Sequence, residues 1–371
     1  MRTVVIGGGL MGAMAAHLLA RRGAAVEVLD VKRLGNATWA GAGIICPEIS
    51  AVMDRNYVAL AMAAGQYYPE LVDRLSDYDL GFGRTAIAKV RMAGEDPTAF
   101  NRARDIVYAR QSSGTFPTRH TVTEVDPAWL REQHPLLGDV AAALYYPEAA
   151  RVDGRKLVEA LRRDSESHGA RWVDALAGRI VVEDHRVMGV ETLQGEFFPG
   201  DRVMVAAGFW SRDLLTPFGV NLELTPHRGQ IVHLHTAVDG AGQWPILEGL
   251  RGHYILSWPD GRVVAGATRE TGTGDAPHFT AEGQHQVLEE AFRVAPGLQP
   301  AEVREWRVGL RPAAADGLPI LGSVPGVEGC WVITGHGPGG LLCGPYSAHL
   351  VISAMLDGKE VPAAFSPHRF A

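Results

Sequence analysis

The chain begins with a glycine-rich turn set between two apolar strands. The run Val4-Val5-Ile6-Gly7-Gly8-Gly9-Leu10-Met11-Gly12 leads into an apolar helical segment and then into Val26-Glu27-Val28-Leu29-Asp30. In such a strand–turn–helix unit, Gly7 permits the tight turn, Gly9 lets the backbone approach a pyrophosphate, and Gly12 lets the helix pack on the strand. The helix N-terminus presents unpaired N–H groups and a partial positive charge to the phosphates. The pattern therefore predicts a dinucleotide site.

An acidic residue ends the second strand of this unit. Asp30 lies 18 residues after Gly12, where a carboxylate reaches the ribose hydroxyls of a dinucleotide. Asp30 argues against a 2′-phosphate, which a carboxylate would repel, although Lys32 and Arg33 follow it. Because NAD and FAD share an adenosine diphosphate half, the turn alone does not separate them.

Length and composition indicate an ordinary globular protein. The 371 residues suffice for two domains, and 46% apolar residues allow a large core. A net charge of −7 without a basic block argues against a nucleic-acid partner. The three cysteines form no C-x-x-C pair and have no metal-ligand spacing, which predicts no disulfide framework, no metal site and a cytoplasmic location. No run reaches the roughly 18 apolar residues of a membrane span, so neither a signal peptide nor a transmembrane segment is expected.

The spacing of apolar residues divides the chain into helices and strands. Helices are predicted over 11–22, 57–76, 99–111, 154–168 (capped by Asp153), 281–293 and 345–356. Strands are predicted over 86–92, 141–146, 171–173, 178–183, 187–193, 202–207, 230–235, 252–257, 262–267, 302–311 and 330–334. The segment 36–47 is predicted as a small-residue loop, and the segment from 112 to about 138 as linker and turns.

The order of these elements predicts a mixed α/β and α+β fold of two domains. A Rossmann-like nucleotide-binding domain is assembled from the separated segments 1–84, 145–224 and 308–371. The segments 85–144 and 225–307 form a second, substrate-binding domain, whose alternating strands predict an antiparallel sheet. The strands 178–183 and 187–193 are expected to pair as a hairpin.

Several motifs in fixed order resemble the FAD-dependent D-amino-acid oxidase family, in particular its glycine oxidase and sarcosine oxidase-like branch. The likeness extends over nearly the whole chain, and the ordered set is far more specific than any one motif. The segments that carry it are 4–12 with Asp30, 38–44, 203–211, 226–230, 266–270, 309–312 with 316–322, and 335–340.

The resemblance implies FAD rather than NAD as the cofactor. In that family the segments similar to 38–44 and 336–341 approach the flavin, and small residues let backbone lie close to a flat ring. No second nucleotide fingerprint is present, so electrons are expected to pass to oxygen or to an electron-accepting partner protein. The residues expected to bind FAD are Gly7, Gly9, Leu10, Met11, Gly12, Asp30, Val31, Thr38, Ala42, Gly43, Ile44, Ala207, Gly208, Arg311, His336, Gly337, Gly339, Gly340 and Leu341.

Two residues match the family positions that hold the substrate. Arg311 matches the arginine that pairs with the substrate carboxylate, for which a guanidinium offers a two-pronged, permanently charged grip. Tyr254 matches a tyrosine whose hydroxyl bonds the carboxylate or amine, whereas its neighbour His253 points to the opposite face of the strand. The alternatives are a surface arginine beside a turn and a core aromatic residue.

Other reactive side chains are expected to have structural roles. His336 should lie near the flavin without acid–base duty. The pair His233 and His235 could bind a metal only with a third ligand, which is not evident. Two less specific possibilities remain from the sequence: a covalent flavin link through Cys46 or Cys343, and a pocket lined by Trp39, Trp210 and Trp258.

The resemblance predicts oxidation of a small amino acid or secondary amine, such as a D-amino acid, glycine or an N-alkyl glycine. Hydride would pass to flavin N5, and the resulting imine would hydrolyse to an oxo acid. Alternatives are a partner- or dye-linked amino-acid, opine or proline dehydrogenase subunit, a flavin-holding subunit without its own chemistry, and an NAD dehydrogenase. The turn 337–339 and the segment 344–347 depart from the family pattern, which leaves the substrate and electron acceptor open. The sequence also leaves a homo-oligomer open.

Overall fold

The computed structural model describes residues 1–116 and 118–370. Eight α-helices are described: α1 Leu10–Ala20, α2 Arg55–Arg74, α3 Thr98–Ser112, α4 Pro127–Gln133, α5 Gly154–Ser167, α6 Ser211–Leu215, α7 Ala281–Val294 and α8 Gly340–Asp357. The strands are β1 Arg2–Ile6, β2 Ala25–Asp30, β3 Ile44–Ile45, β4 Gly83–Met92, β5 Thr123–Val125, β6 Val140–Arg151, β7 Arg171–Asp174, β8 Ala177–Glu183, β9 Arg186–Thr192, β10 Phe197–Pro199, β11 Arg202–Val205, β12 Leu224–His235, β13 Ile246–Gly249, β14 Tyr254–Ser257, β15 Arg262–Gly266, β16 Glu302–Ala314, β17 Ile320–Ser323 and β18 Cys330–Thr334.

The first sheet has the nucleotide-binding arrangement expected from the sequence. Its six strands lie in the order β17-β18-β11-β1-β2-β7. All neighbouring pairs are parallel except β17 with β18. The chain leaves β1 toward β2 on one side and returns through β11 on the other, which makes the carboxyl end of β1 a topological switch point. Ligands of open α/β sheets bind at such points.

Helices α1, α2, α5 and α8 cover one face of this sheet. α1 packs against α5 and α8, and α2 packs against α8. They bury one continuous apolar core that includes Leu10, Met14, Leu71 and Leu161. Asp153 caps α5 as predicted, since its Oδ1 accepts hydrogen bonds from the N–H groups of the first turn.

The second sheet contains the alternating strands of the middle of the chain. It has nine strands in the order β16-β12-β15-β14-β13-β4-β6-β3, with β5 added beside β6. β12, β15 and β14 pair antiparallel, which confirms that prediction. The pair β13 and β4 is parallel, so the sheet is mixed at that position. The predicted hairpin is also present, as β8 and β9 of a small third sheet.

Two predicted irregular segments contain regular structure. The loop 36–47 includes β3, which pairs with β6, and the linker up to residue 138 includes β5 and α4. Asp126 caps α4 through the N–H of Ala128, and Pro127 occupies its first turn. Asp126 and Pro127 are typical of a helix N-terminus. A helix of seven residues is too short to show apolar periodicity, so the spacing of apolar residues did not predict α4.

Helix α8 begins at Gly340, earlier than the predicted start at Pro345. A proline inside a helix has no N–H to give to the carbonyl four residues before it. Here that carbonyl belongs to Leu341, and the hydroxyl of Tyr68 from α2 donates a hydrogen bond to it. A side chain from a distant helix therefore satisfies the group that the proline leaves free.

The domain boundaries proposed from the sequence stay a prediction. β6 runs across the boundary at 144/145, and β16 runs across the boundary at 307/308. Both strands belong to the nine-stranded sheet, and residues 309–312 of β16 line a cavity.

Candidate functional site

A cavity of about 540 Å³ lies between the first sheet and the nine-stranded sheet. This volume is in the range of roughly 300–1,000 Å³ found for small-molecule and cofactor sites. The cavity begins at the turn after β1 and ends beside Tyr254 and Arg311 on the second sheet. It therefore connects the predicted nucleotide site with the predicted substrate site.

The turn after β1 depends on its glycines. Gly7 has φ of +100°, and a Cβ there would lie 2.6 Å from the carbonyl oxygen of Ala206. A Cβ at Gly12 would lie 1.8 Å from the carbonyl oxygen of Gly7, so only glycine lets α1 start so close to β1. Gly9 precedes α1 and has no side chain that could cap it, and the first-turn residues Leu10 and Met11 line the cavity.

Asp30 lies beside this turn and lines the cavity. Its Oδ1 accepts a hydrogen bond of 2.8 Å from the N–H of Gly8. Burial raises the pKa of the carboxyl, which the hydrogen bond from Gly8 and the charge of Arg33 oppose. The remaining carboxylate oxygen is thus available to a hydroxyl donor in the cavity.

The segment 38–44 forms one wall of the cavity. Thr38 Oγ1 accepts a hydrogen bond of 3.1 Å from the N–H of Leu10, which ties the segment to the start of α1. Gly43 has φ of +82°, and a Cβ there would lie 1.8 Å from the carbonyl oxygen of Val152. A Cβ at Gly41 would lie 2.4 Å from Leu341 Cδ1, so this segment packs against the first turn of α8.

His336 lies just before the short helical turn that leads into α8, and its side chain is buried. Its Nε2 lies 2.9 Å from Ser347 Oγ, and no described group within hydrogen-bond distance pairs with Nδ1. Burial lowers its pKa to about 4. The imidazole is therefore neutral at neutral pH, which agrees with a positioning role rather than proton transfer.

Arg311 brings a positive charge to the far end of the cavity. It lies on β16 opposite His227 of β12, and its Nη1 donates a hydrogen bond of 3.0 Å to the carbonyl oxygen of Thr268. A Cβ at Gly229 would lie 2.2 Å from Nη2, so this glycine provides the space that the guanidinium occupies. Among the described residues, no carboxylate forms an ion pair with Arg311.

The environment of Arg311 favours an anionic ligand. Burial lowers the pKa of the guanidinium because a charge in a poorly hydrated site lacks solvation. A buried charge without a partner is costly, and a ligand carboxylate would relieve that cost. Tyr254 lines the same end of the cavity, and burial raises its pKa to about 12, so its hydroxyl is neutral at neutral pH.

The charge of Glu270 opposes the burial that lowers the pKa of Arg311, and other residues already occupy the Glu270 carboxylate. Its Oε2 accepts hydrogen bonds of 2.8 Å and 2.6 Å from Arg228. Its Oε1 accepts bonds of 2.8 Å from Gln230 and 2.6 Å from Thr268 Oγ1. The network fixes the strand connection after β15, and among the described residues Glu270 forms no ion pair with Arg311.

Most sequence-predicted site residues line the one cavity. Those that do are Gly7, Gly9, Leu10, Met11, Asp30, Val31, Thr38, Ala42, Gly43, Ile44, Ala207, Gly208, Tyr254, Arg311, His336, Gly337, Gly340 and Leu341. Gly12 and Gly339 do not line it. Gly12 faces the backbone of Gly7, and a Cβ at Gly339 would lie 2.3 Å from the hydroxyl of Tyr57, so both are packing positions.

Of the tryptophans and cysteines considered for the pocket and the flavin link, only one lines the cavity. Trp210 lines it, whereas Trp39 and Trp258 lie outside it beneath Arg155 and Arg262. Cys46 and Cys343 are buried free thiols that do not line the cavity. No metal-binding group of three or more His, Cys, Asp or Glu side chains is found in residues 1–116 and 118–370.

Sequence reasoning did not single out several cavity residues at the substrate end. Among them are Arg269 and two glycines against which guanidinium groups pack, Gly229 and Gly252. Gly229 and Arg269 lie in segments 226–230 and 266–270, which were recognised as motifs, but their roles depend on contacts between strands.

A family comparison decides the class of this site. The model of the DAO family, described as FAD dependent oxidoreductase, matches residues 2–354. The chain belongs to this family. The FAD dependence and the oxidoreductase class expected from the sequence are thus confirmed, and the cavity that joins the glycine turn to Arg311 fits an elongated dinucleotide.

Individual relatives support the glycine oxidase-like branch of the family. A curated relative, the uncharacterized oxidoreductase YurR of Bacillus subtilis (strain 168), is 34% identical over 98% of this chain and 97% of its own length. The glycine oxidase of Pseudomonas aeruginosa is 32% identical over 99% of this chain and 98% of its own length. The crystal structure of iminodiacetate oxidase (IdaA) from Chelativorans sp. BNC1 is 34% identical, with a TM-score of 0.91 and 99% of each chain covered.

One helix of this family member has the length and apolar composition of a membrane span. It covers Gly337–Asp357, and 61% of its most apolar window is buried inside the protein. The sequence reading expected no such segment. Because α8 packs between α1 and α2, the apolar composition is that of a core helix.

Proposed function

We propose that this protein oxidises a small amine that carries a carboxylate on the carbon next to nitrogen, such as glycine or an N-substituted glycine. The observation that carries the proposal is the unpaired guanidinium of Arg311 at the end of a cavity that begins at a dinucleotide turn. The relatives named glycine oxidase and iminodiacetate oxidase support this substrate class.

The binding part of the reaction rests on Arg311 and Tyr254. Arg311 would hold the substrate carboxylate with two parallel hydrogen bonds, which fixes the position of the adjacent carbon. The neutral hydroxyl of Tyr254 would bond the carboxylate or the amine. The cluster of small residues around 38–44 and 336–341 would let a flat ring lie against the backbone.

Bound FAD supplies the acceptor for a hydride, that is, two electrons and one proton. The substrate loses hydride from the carbon and a proton from nitrogen, so its C–N single bond becomes a C=N bond. Water then adds to this bond and releases an oxo acid and an amine or ammonia. No strong base is needed, which agrees with the neutral state of His336.

The cofactor would be held by the residues of the turn and of the two small-residue segments. The N–H groups at the start of α1, other than that of Leu10, would bind the pyrophosphate, and Asp30 would bond ribose hydroxyls. We propose oxygen as the electron acceptor because two of the named relatives, the glycine oxidase and the iminodiacetate oxidase, are oxidases.

The experiment is aerobic turnover of the purified holoenzyme with glycine, N-methylglycine and iminodiacetate. Glyoxylate and hydrogen peroxide are expected in equal amounts. Glyoxylate formed only with an artificial dye would overturn oxygen as the acceptor and favour the partner-linked dehydrogenase. A holoenzyme that makes no oxo acid with either acceptor would refute the proposed function.

A further inference from the structure

Arg151, the last residue of β6, is a buried cation outside the cofactor cavity. Only 3% of the residue is exposed, and its Nη2 donates a hydrogen bond of 3.0 Å to the carbonyl oxygen of Gly242. A Cβ at Gly83 would lie 3.2 Å from Nη2, so this glycine of β4 lets the guanidinium lie against the strand. Within residues 1–116 and 118–370, no carboxylate forms an ion pair with Arg151, and its Nε and Nη1 have no hydrogen-bond partner. A buried cation in this state is costly and favours an anionic ligand.

Two further N–H donors lie beside this guanidinium. The Cζ atoms of Arg151 and Arg262 lie 6.0 Å and 4.0 Å from the ring centroid of Trp258, which is 6% exposed. The indole Nε1 of Trp258 and the Nε of Arg262 are buried and, among the described residues, have no hydrogen-bond partner. Guanidinium and indole groups donate hydrogen bonds and accept none. A water molecule between them would also have to donate, whereas an anion accepts from every one of them.

The charges of this cluster do not balance. Arg262 donates a hydrogen bond of 2.7 Å from Nη1 to Oδ2 of Asp153, so its charge has a partner. Burial lowers the pKa of Arg151, and the charge of Arg262 lowers it further. The charge of Asp260 opposes this shift, but Asp260 is exposed and its Oδ1 accepts a hydrogen bond from the backbone N–H of Arg262. One buried positive charge, that of Arg151, is therefore left for a ligand.

We propose that a monovalent inorganic anion of the size of chloride binds between Arg151, Arg262 and the indole N–H of Trp258. The single charge matches the one unpaired cation, and the small size matches donors that are closed off from solvent. The anion joins the turn between β14 and β15 to the end of β6. At that end Arg151 pairs with Ile44, and the N–H of Val152 donates a hydrogen bond to the carbonyl oxygen of Gly43. Since residues 43 and 44 line the cofactor cavity, the anion supports its wall from behind and stabilises the folded protein.

The first test locates the anion directly. Crystals of the holoenzyme are soaked in sodium bromide, and bromide, the heavier analogue of chloride, is found by its anomalous scattering. A peak is expected within about 3.5 Å of Nε1 of Trp258 and of Nε or Nη1 of Arg151. Crystals without a bromide peak at this position would overturn the proposal.

The second test measures thermal unfolding of the holoenzyme when chloride replaces gluconate, which is too large for the site, at a constant ionic strength of about 0.15 M. A ligand that binds only the folded state stabilises it by mass action, so chloride should raise the Tm of the wild-type enzyme by about 2 °C. Arg151→Met removes the cation and keeps an apolar stem, so its Tm should not respond. Arg163→Met is the matched control, because Arg163 is an exposed arginine of α5 paired with Glu159, and it should respond like the wild-type enzyme.

Trp258→Phe removes the indole N–H alone and should reduce the chloride response, which provides a second variant if Arg151→Met does not fold. General effects of the two salts on protein stability act on all variants alike, so the difference between variants reports the site. Equal responses of the wild-type, Arg151→Met and Trp258→Phe enzymes would overturn the proposal. A bromide peak without a Tm response would mean binding at crystal concentration only and would overturn it as well.

Discussion

Replacing Gly229 by alanine is expected to weaken substrate binding by displacing Arg311. The new Cβ would lie 2.2–2.5 Å from three guanidinium atoms, whereas ordinary contact begins at 3.4 Å. The guanidinium is the flexible end of a long side chain, so it can move by about 1 Å while the strands keep their register. Charge-assisted hydrogen bonds to a carboxylate contribute roughly 1.5–3 kcal/mol. We therefore expect kcat/KM to fall about 10- to 150-fold.

The assay is steady-state oxidation of N-methylglycine, with FAD content measured in the same samples. Gly249→Ala is the matched control in the same sheet, since its Cβ would meet Val294 and Arg293 at 3.4 Å and 3.5 Å. The control should keep wild-type kinetics, and both variants should retain FAD. If the kcat/KM of Gly229→Ala stays within twofold of wild type, Arg311 does not bind the substrate carboxylate at the position beside Gly229.

Three further predictions concern the cofactor, the polar network and buried histidines. Asp30→Ala should weaken FAD binding about 10- to 100-fold in a fluorescence titration of the apoprotein. The control is Asp174→Ala, which should leave FAD binding unchanged, because Asp174 pairs with Asp30 across β2 and β7 but is exposed. Glu270→Ala should lower the free energy of unfolding by about 3 kcal/mol in urea, because it leaves the 5% exposed Arg228 side chain unpaired; equal stability would contradict this. Burial lowers the pKa of His134 to about 4, whereas in the unfolded chain it is 6.5. Between these values the unfolded chain binds a proton that the folded protein does not, so the free energy of unfolding falls as pH drops from 6.5 toward 4. His134→Phe should reduce the stability loss between pH 7 and pH 5 by about 2 kcal/mol, and an unchanged pH profile would disprove that assignment.

The nucleotide end of the site was predictable because its determinants are local in sequence. The roles of Gly7 and Gly12 follow from the spacing of one turn, and the structure places their missing Cβ positions against Ala206 and Gly7 backbone. The prediction that Asp153 begins a helix succeeded for the same reason.

The substrate end depends on contacts between distant segments, which a single sequence does not reveal. Within residues 1–116 and 118–370, Arg311 has no ion-pair partner, and Arg228 and Thr268 occupy Glu270. Arg269 follows β15, and its guanidinium lies beside Gly252, which precedes β14 in the chain. The early start of α8 depends on the hydroxyl of Tyr68, from a helix about 270 residues earlier in the chain.

Anaerobic reduction of the bound flavin tests the central claim most directly. The holoenzyme is mixed with N-methylglycine in the absence of oxygen, and the visible flavin absorbance is followed in the wild-type and Arg311→Ala enzymes. The wild-type flavin should bleach, while Arg311→Ala should keep its FAD and bleach at least about tenfold more slowly at the same substrate concentration. Bleaching at the same rate in both enzymes would show that Arg311 does not hold the substrate.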